Sequence, residues 1–236
     1  MCSSDLLAIT GVSPALAPHL RQEARDQARW LGLTHREVST AELADPAYTE
    51  NPQDRCYACK RELHGLLAPL AAARPGAVVL DGVNRDDLGD HRPGLQAARE
   101  HGVLSPLAEA GIDKQGVRLI SRALGLPWWD KPAQPCLASR FPYGEAITAQ
   151  RLQRVAAAEA WLMQQGFPEL RVRSQGETAR IELPAERLPE VLARLAEGPL
   201  RQELVAALRE LGFSAVALDL EGLVSGKLNR DLNRAG

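Results

Sequence analysis

Hydrophobic and polar residues follow two different patterns along the chain, and the pattern changes near its middle. In the first half, "LLAITGV" (6–12) and "AVVLDGV" (77–83) are apolar runs broken only near glycine, as buried parallel strands often are. "THREVS" predicts a further strand, and helical spacing predicts helices at 15–33, 54–73 and 114–124. Alternating strands and helices indicate βαβ units, and therefore an α/β domain with a parallel sheet covered by helices.

The second half contains residue-by-residue alternation of polar and apolar positions. "ELRVRS" and "TARIEL" show this pattern, which is typical of half-buried antiparallel strands, and "AVALDLEG" predicts a last strand. Helical spacing predicts a helix capped by Thr148 and two more, at 188–195 and 200–211. The order α-β-β-α-α-β predicts a small α+β domain. We therefore divide the chain into an α/β domain at 1–135, a loop at 136–147 and an α+β domain at 148–236.

Composition limits the classes of function. The chain has 236 residues, a formal net charge of −2 and a sequence pI near 6.2, which argues against a nucleic-acid coat or a membrane-surface binder. No apolar run approaches the ~20 residues that span a bilayer, and the first residues lack the pattern of a secretory signal. Four cysteines are too few for a disulfide scaffold of this length. We expect a cytoplasmic protein whose thiols serve metal or redox chemistry.

The cysteines are the first candidates for chemistry. Cys136 lies in "PAQPCLASRFPYG", where prolines disfavour helix and strand, so we expect an ordered loop that presents the thiol. Cys56 and Cys59 form a CxxC motif that can place two thiolates on one metal. Cys136 would be a third ligand, and His64 or an exogenous group a fourth. A redox CxxC is less favoured, and cysteines without a ligand remain the alternative.

Two charged clusters are further candidates. "DGVNRDDLGDHRPG" (81–94) follows a predicted strand, where α/β sheets bind ligands, and Asp86 and Asp87 there can hold Mg²⁺. A solvated polar turn is the alternative. Arg171, Arg173 and Arg180 are predicted to share the polar face of two strands and would suit a phosphate group. From the residues alone, the favoured interpretation is an ordinary solvated sheet face on which Glu182 lies beside the arginines.

Several segments together resemble one family. They are "NPQDRCYACK", "DGVNRDDLGDHRPG", "GLPWWDKPAQPCLASRFPYG", "LRVRSQGETARIEL" and "LDLEGLVSGKLNR". In this order and spacing they look like the ATP-dependent sacrificial sulfur transferases of the LarE family, which act in nickel-pincer cofactor biosynthesis. The resemblance runs from about residue 6 to 232. It implies an adenine nucleotide alpha-hydrolase-like (PP-loop) α/β domain followed by a small α+β domain.

The resemblance also implies a reaction and its residues. ATP, with Mg²⁺, would adenylate a carboxylate of a small nucleotide substrate, pyridinium-3,5-biscarboxylic acid mononucleotide. Cys136, in a loop with Ser139 and the cation Arg140, would attack and give up its sulfur. By similarity to three-cysteine relatives, Cys56, Cys59 and Cys136 would instead ligate a 4Fe–4S cluster that carries a sulfide, and this version is favoured because it explains all three cysteines. "RVR" at 171–173 would hold the substrate phosphate. We expect a homo-oligomer without membrane or nucleic-acid partners.

One departure from the family pattern concerns ATP. The family's Ser-Gly-Gly-x-Asp-Ser loop should precede "LLAITGVSP", but only "MCSSD" stands there, without a glycine pair. The chain as given is therefore expected to be N-terminally truncated, to bind ATP weakly and to be marginally stable, because its central strand would be missing and apolar strand edges exposed. The rival interpretations are another PP-loop ligase, a tRNA thiolase, or a degenerate metal- or nucleotide-binding protein.

Overall fold

The computed structural model describes residues 6–89, 92–224 and 226–230. They divide into two units, one with the residues up to Ser13 and Gly32–Pro135, the other with Pro14–Leu31 and the chain from Cys136 onward. In chain order the strands and helices are β1 (Leu7–Val12), α1 (Pro18–Trp30), β2 (Thr34–Ser39), α2 (Pro46–Thr49), α3 (Arg55–Ala72), α4 (Gly94–Glu100), α5 (Pro106–Glu109), α6 (Lys114–Ala123), α7 (Ala149–Gln164), β3 (Arg171–Gln175), β4 (Thr178–Glu182), α8 (Leu188–Ala196), α9 (Leu200–Glu210) and β5 (Ala215–Leu218). None of the helices in these ranges has the length and apolarity of a membrane span.

The first unit contains the predicted parallel pairing. β1 and β2 pair in parallel, with Leu7 opposite Thr34 and Val12 opposite Ser39. The predicted helices at 54–73 and 114–124 are confirmed as α3 and α6. The Asp113 side chain accepts a hydrogen bond from the backbone N–H of Gly116 at 2.8 Å and so caps α6. The α/β class with a parallel sheet is therefore confirmed at this coarse level.

The prediction of a strand at 77–83 is wrong. Leu80 makes an isolated bridge to Leu104, and the sheet of β1 and β2 has no third strand among the described residues. Val78 is 62% exposed and Leu80 50%. An apolar cavity of about 210 Å³, lined mainly by residues of β1, α3 and 77–80, lies where a strand between β1 and this segment would pack. The apolar run fails to form a strand because a strand needs a hydrogen-bonded neighbour, and β1 does not supply one here. The segment "MCSSD" lies outside the described residues.

The second unit follows its predicted order. Thr148 caps α7, its Oγ1 accepting from the backbone N–H of Arg151 at 3.2 Å. β3 pairs antiparallel with β4, and β4 pairs in parallel with β5. Side chains of α7 and of one sheet face form a core with exposures of 0–2%: Leu152, Val155, Ala158, Leu162, Val172, Ala179 and Ile181.

The opposite face of this three-stranded sheet is polar. The register places Arg173 directly opposite Arg180 and Arg171 opposite Glu182, so these four side chains share one face. The prediction that the arginines lie on the side away from the core residues is confirmed. Neighbouring guanidinium groups repel one another, so this face needs carboxylates or a bound anion to balance it.

Candidate functional site

Cys136 stands at the start of a short 3-10 helix, Leu137–Arg140, and its side chain is exposed. The next residues are buried anchors, since Leu137, Ala138 and Phe141 are each at most 1% exposed. The backbone N–H of Leu137 also donates to the carbonyl oxygen of Ala15 at 2.9 Å. The segment is therefore held firmly while the thiol faces solvent, as expected for a loop that presents a reactive group.

Arg140 is held behind this segment by a buried carboxylate. Its Nε and Nη2 donate to Oε1 and Oε2 of Glu159 at 2.8 and 3.0 Å, and both side chains are at least 90% buried. Nη1 of Arg140 donates to Oγ of Ser139 at 3.0 Å and to the carbonyl oxygen of Cys136 at 3.4 Å. Oε1 of Glu159 also accepts from the backbone N–H of Val172. One guanidinium thus connects α7 and the strand β3 to the cysteine loop.

Arg173 makes a second such connection. Its Nε donates to Oε2 of the fully buried Glu182 at 2.9 Å, and its Nη1 donates to the carbonyl oxygen of Ser139 at 2.6 Å. Arg180 Nη2 donates to the other oxygen of Glu182 at 3.1 Å. The structure therefore brings Arg173, Arg180, Ser139 and Arg140 together, and Glu182 partly neutralises two of the cations.

A cavity of about 200 Å³ opens on this polar face. Its lining contains five cationic side chains, which are Arg140, Arg173, Arg180, Lys227 and Arg230, together with Pro142, Gln175 and Leu228. The carboxylates that hold these cations are absent from the lining, so the surface offered to a ligand is positive. Guanidinium and ammonium groups in this arrangement suit a phosphate or carboxylate ligand.

Arg171 is on the same sheet face as Arg173 and Arg180 and is the least neutralised of the three predicted phosphate ligands. Among the described residues, its side chain has no hydrogen bond and no ion pair. Burial, and then repulsion from Arg173 and Arg140, lowers the pKa of the Arg171 guanidinium from its ordinary value, and the carboxylates of Glu182 and Glu159 oppose this shift. A half-buried cation beside other cations is unfavourable for the empty fold, so an anionic ligand would relieve it.

Cys56 and Cys59 lie one turn apart on α3, in the unit that does not contain Cys136. Cys56 is exposed and Cys59 half-buried. A Cβ on Gly94, at the start of α4, would come 2.8 Å from Cγ of Lys60 and 3.2 Å from the carbonyl oxygen of Cys56. Glycine there lets α4 pack closely against this part of α3. Within neither unit do three described His, Cys, Asp or Glu side chains form a metal-binding group.

His64, the suggested fourth ligand, is buried on another face of α3. Its ring lies 6.0 Å from that of His101, and neither nitrogen has a hydrogen-bond partner among the described residues. Burial, with smaller contributions from the charges of Lys60 and His101, lowers the pKa of His64, and Asp81 opposes this. His64 is thus better explained as a neutral side chain between α3 and its neighbours.

This burial predicts a pH dependence of stability. Because the pKa of His64 is lower in the folded chain, the unfolded chain binds more protons than the folded chain below pH ~6.5. The free energy of unfolding therefore falls as the pH falls, and His64 contributes at most about 1.4 kcal/mol per pH unit to this slope. The contribution is fully present above pH ~6.5. We expect His64→Leu to reduce this slope, measured as urea unfolding between about pH 5 and 7.5. An unchanged slope in the variant would contradict the assignment.

Asp86 and Asp87 lie on the short 3-10 helix Arg85–Gly89. Asp87 is buried and forms ion pairs with Arg92 at 2.8 Å and Lys114 at 3.5 Å. Asp86 accepts a hydrogen bond from the backbone N–H of Lys114 at 3.1 Å. Both carboxylates thus have donors from the protein that would compete with a metal ion, and the Mg²⁺ assignment stays a prediction.

The roles of the carboxylates and the C-terminal cations of this site were not predicted from the sequence: Glu159, Glu182, Asp219, Lys227 and Arg230. One signal was present for Glu159, because it lies four residues after Val155 and three before Leu162, on the apolar face of α7. A charged residue in such a position needs a buried partner. The other residues lie in the family-like segments "LRVRSQGETARIEL" and "LDLEGLVSGKLNR", but no local pattern distinguished them from the solvated charges of an ordinary strand or loop.

No protein-family model matches the chain. Among curated proteins, it is 55% identical to an uncharacterized protein of Synechocystis sp., over 98% of this chain and 84% of the relative. It is 38% identical to the pyridinium-3,5-bisthiocarboxylic acid mononucleotide synthase of Lactiplantibacillus plantarum, over 90% of this chain and 75% of that protein. An uncharacterized protein of Methanocaldococcus jannaschii is 29% identical over 73% of this chain and 65% of its own length. The chain therefore belongs to the family of pyridinium-3,5-bisthiocarboxylic acid mononucleotide synthases, the LarE family.

Proposed function

We propose that this protein is an ATP-dependent sulfurtransferase of nickel-pincer cofactor biosynthesis that converts a carboxylate of pyridinium-3,5-biscarboxylic acid mononucleotide to a thiocarboxylate. The observation that carries the proposal is the pairing of an exposed Cys136 thiol with a cationic cavity. Arg140 belongs to both, because it contacts the Cys136 carbonyl oxygen and also lines the cavity. A site that joins a nucleophile to an anion-binding pocket suits a substrate that is a phosphate monoester.

In the direct form of the reaction, ATP adenylates the substrate carboxylate and pyrophosphate leaves. The Cys136 thiolate then attacks the acyl carbon, and AMP leaves with its bonding electron pair. A base removes the α-proton of Cys136, the Cβ–S bond breaks, and the sulfur departs in the product thiocarboxylate. Dehydroalanine remains at position 136. Thiolate is the residue type for this step because it is a strong nucleophile near neutral pH.

In the second form of the proposed reaction, the thiolates of Cys56, Cys59 and Cys136 bind a 4Fe–4S cluster. Cys56 and Cys59 are one helical turn apart, which is a spacing that lets two thiolates bind one cluster. Such a cluster, with one iron open, would supply a sulfide in place of the Cys136 sulfur. Mg²⁺ would accompany ATP, with Asp86 and Asp87 as the proposed oxygen ligands.

The test is a product analysis on protein purified without oxygen. The chain is incubated with Mg²⁺, the biscarboxylic acid mononucleotide and a large excess of ATP, because weak ATP binding is expected from the sequence. We expect a product in which sulfur replaces one oxygen, with AMP released in equal amount. Intact mass then separates the two sulfur sources, because only sacrifice of Cys136 removes hydrogen sulfide from the chain, whereas the cluster form contains iron and labile sulfide. AMP release without sulfur in the product would contradict the proposal.

Arg171 allows binding to be separated from stability. Arg171→Gln removes a half-buried cation that lacks an ion pair among the described residues, so we expect the free energy of unfolding to stay equal or to rise slightly. Affinity for the mononucleotide should fall about tenfold, since a charge-assisted contact is lost. Calorimetric titration and urea unfolding measure the two effects. Unchanged affinity would remove Arg171 from the phosphate site.

A further inference from the structure

The short 3-10 helix Lys227–Arg230 contributes two of the cations in the cavity wall. Lys227 Nζ lies 2.7 Å from Oδ2 of Asp219, 3.2 Å from Oε2 of Glu221 and 4.0 Å from Oε1 of Glu182. It also donates to the carbonyl oxygen of Gly222 at 3.3 Å, and its side chain is 11% exposed. The ammonium group is thus directed mainly at carboxylates behind the cavity rather than at a ligand within it.

Asp219 is shared between two cations. Its Oδ2 is 2.7 Å from Lys227 Nζ but 3.4 Å from Nε of Arg180, and this Nε has no hydrogen bond among the described residues. Its Oδ1 accepts from the backbone N–H groups of Glu221 and Gly222 at 2.9 and 3.2 Å. Asp219 is therefore fixed just after β5, nearer to the lysine than to the arginine.

The turn that fixes Asp219 depends on Gly222. This glycine has a φ of 79°, and a Cβ there would lie 2.6 Å from the carbonyl oxygen of Leu183. No other residue type would fit without moving the backbone. The Asp219–Lys227 pair is thus part of a specific local structure.

On the basis of the proposed function, we propose that Lys227 is a positioning residue that keeps Arg180 available to the substrate phosphate by neutralising Asp219. Without the ammonium group, the carboxylate of Asp219 would have Arg180 as its nearest cation. The guanidinium could then bind it through two hydrogen bonds, which is the arrangement that arginine favours with carboxylates. Arg180 would turn away from the cavity, and an anion there would lose one of the cations that bind it.

Charge balance supports the same conclusion. The five cations of the cavity wall contact four carboxylates, which are Glu159, Glu182, Asp219 and Glu221. Loss of Lys227 removes the surplus of positive charge among these groups. An anion should therefore bind less tightly to the variant even though Lys227 itself does not contact it.

A double-mutant experiment tests this directly. Binding of pyridinium-3,5-biscarboxylic acid mononucleotide and of inorganic phosphate is titrated against the wild-type chain and the variants Lys227→Met, Asp219→Asn and Lys227→Met/Asp219→Asn. We expect Lys227→Met to weaken binding of both probes about tenfold, and the double variant to recover to within about twofold of wild type. Arg209→Gln, which removes one exposed positive charge on α9, serves as the control for charge alone and should change affinity little.

Recovery of affinity in the double variant is the decisive result when Lys227→Met keeps the wild-type melting temperature, because a merely structural role of the ion pair would lower the melting temperature of the single variant as well. Unchanged affinity in Lys227→Met would overturn the inference. An equal loss of affinity in the single and double variants would also overturn it, since Lys227 would then contact the anion itself. If the wild-type chain bound neither probe, the proposed anion site would be wrong, and the inference would fall with it. Thermal unfolding of each variant confirms that a folded chain is compared.

Discussion

Cys136→Ser is expected to abolish thiocarboxylate formation, with the rate falling by at least about a thousandfold. A serine hydroxyl is un-ionised near neutral pH and has no sulfur to deliver, and it is a poor ligand for iron. The side chain is exposed, whereas its neighbours Leu137 and Ala138 anchor the segment, so the melting temperature should change little. Mass spectrometry of the product after incubation with ATP and substrate gives the measurement.

Cys56→Ser is the matched comparison for this variant. If Cys136 itself is the sulfur donor, Cys56→Ser should retain a single turnover, with hydrogen sulfide lost from the chain. If the three cysteines hold a cluster, Cys56→Ser should lose iron and activity together. Formation of thiocarboxylate by Cys136→Ser at the wild-type rate would contradict both forms of the proposed reaction.

The second large effect concerns stability. Glu159→Ala should lower the free energy of unfolding of the second unit by about 3–5 kcal/mol, because it leaves the buried guanidinium of Arg140 without its carboxylate. The Arg140–Glu159 pair is 7% and 2% exposed and has two short hydrogen bonds, so solvent cannot replace the missing partner. Urea unfolding followed by circular dichroism measures the change.

An exposed ion pair of the same unit provides the control. Arg187 and Glu190 lie 3.0 Å apart with exposures of 29% and 52%, and Glu190→Ala should lower the free energy of unfolding much less than Glu159→Ala, because solvent screens an exposed pair. Glu159→Gln separates charge from shape, since it keeps the volume and one acceptor oxygen. A cost for Glu159→Ala that is no larger than that for Glu190→Ala would show that the buried pair is not important for folding.

Local pattern was sufficient for most of the second unit. In the helix capped by Thr148, propensity, capping and burial agree, and in the antiparallel strands and the later helices propensity and burial agree. In the first unit the prediction of a strand at 77–83 was wrong. Apolar residues predict burial, but they do not show whether a neighbouring strand is present to form hydrogen bonds with them. The short helices α2, α4 and α5 were not predicted, since four to seven residues carry too little periodicity.

For the candidate site, the sequence was enough to identify the loop thiol of Cys136, the CxxC of α3, the arginines of β3 and β4, and the family to which they belong. These follow from short stretches of chain in which residue type and spacing carry the chemistry. The cationic cavity, the buried partners Glu159 and Glu182, and the Asp219–Lys227 pair required the folded chain. Each depends on side chains that are far apart in sequence. How strongly a charged side chain interacts is set by its burial and by its neighbours, and only packing brings those neighbours within a few ångströms.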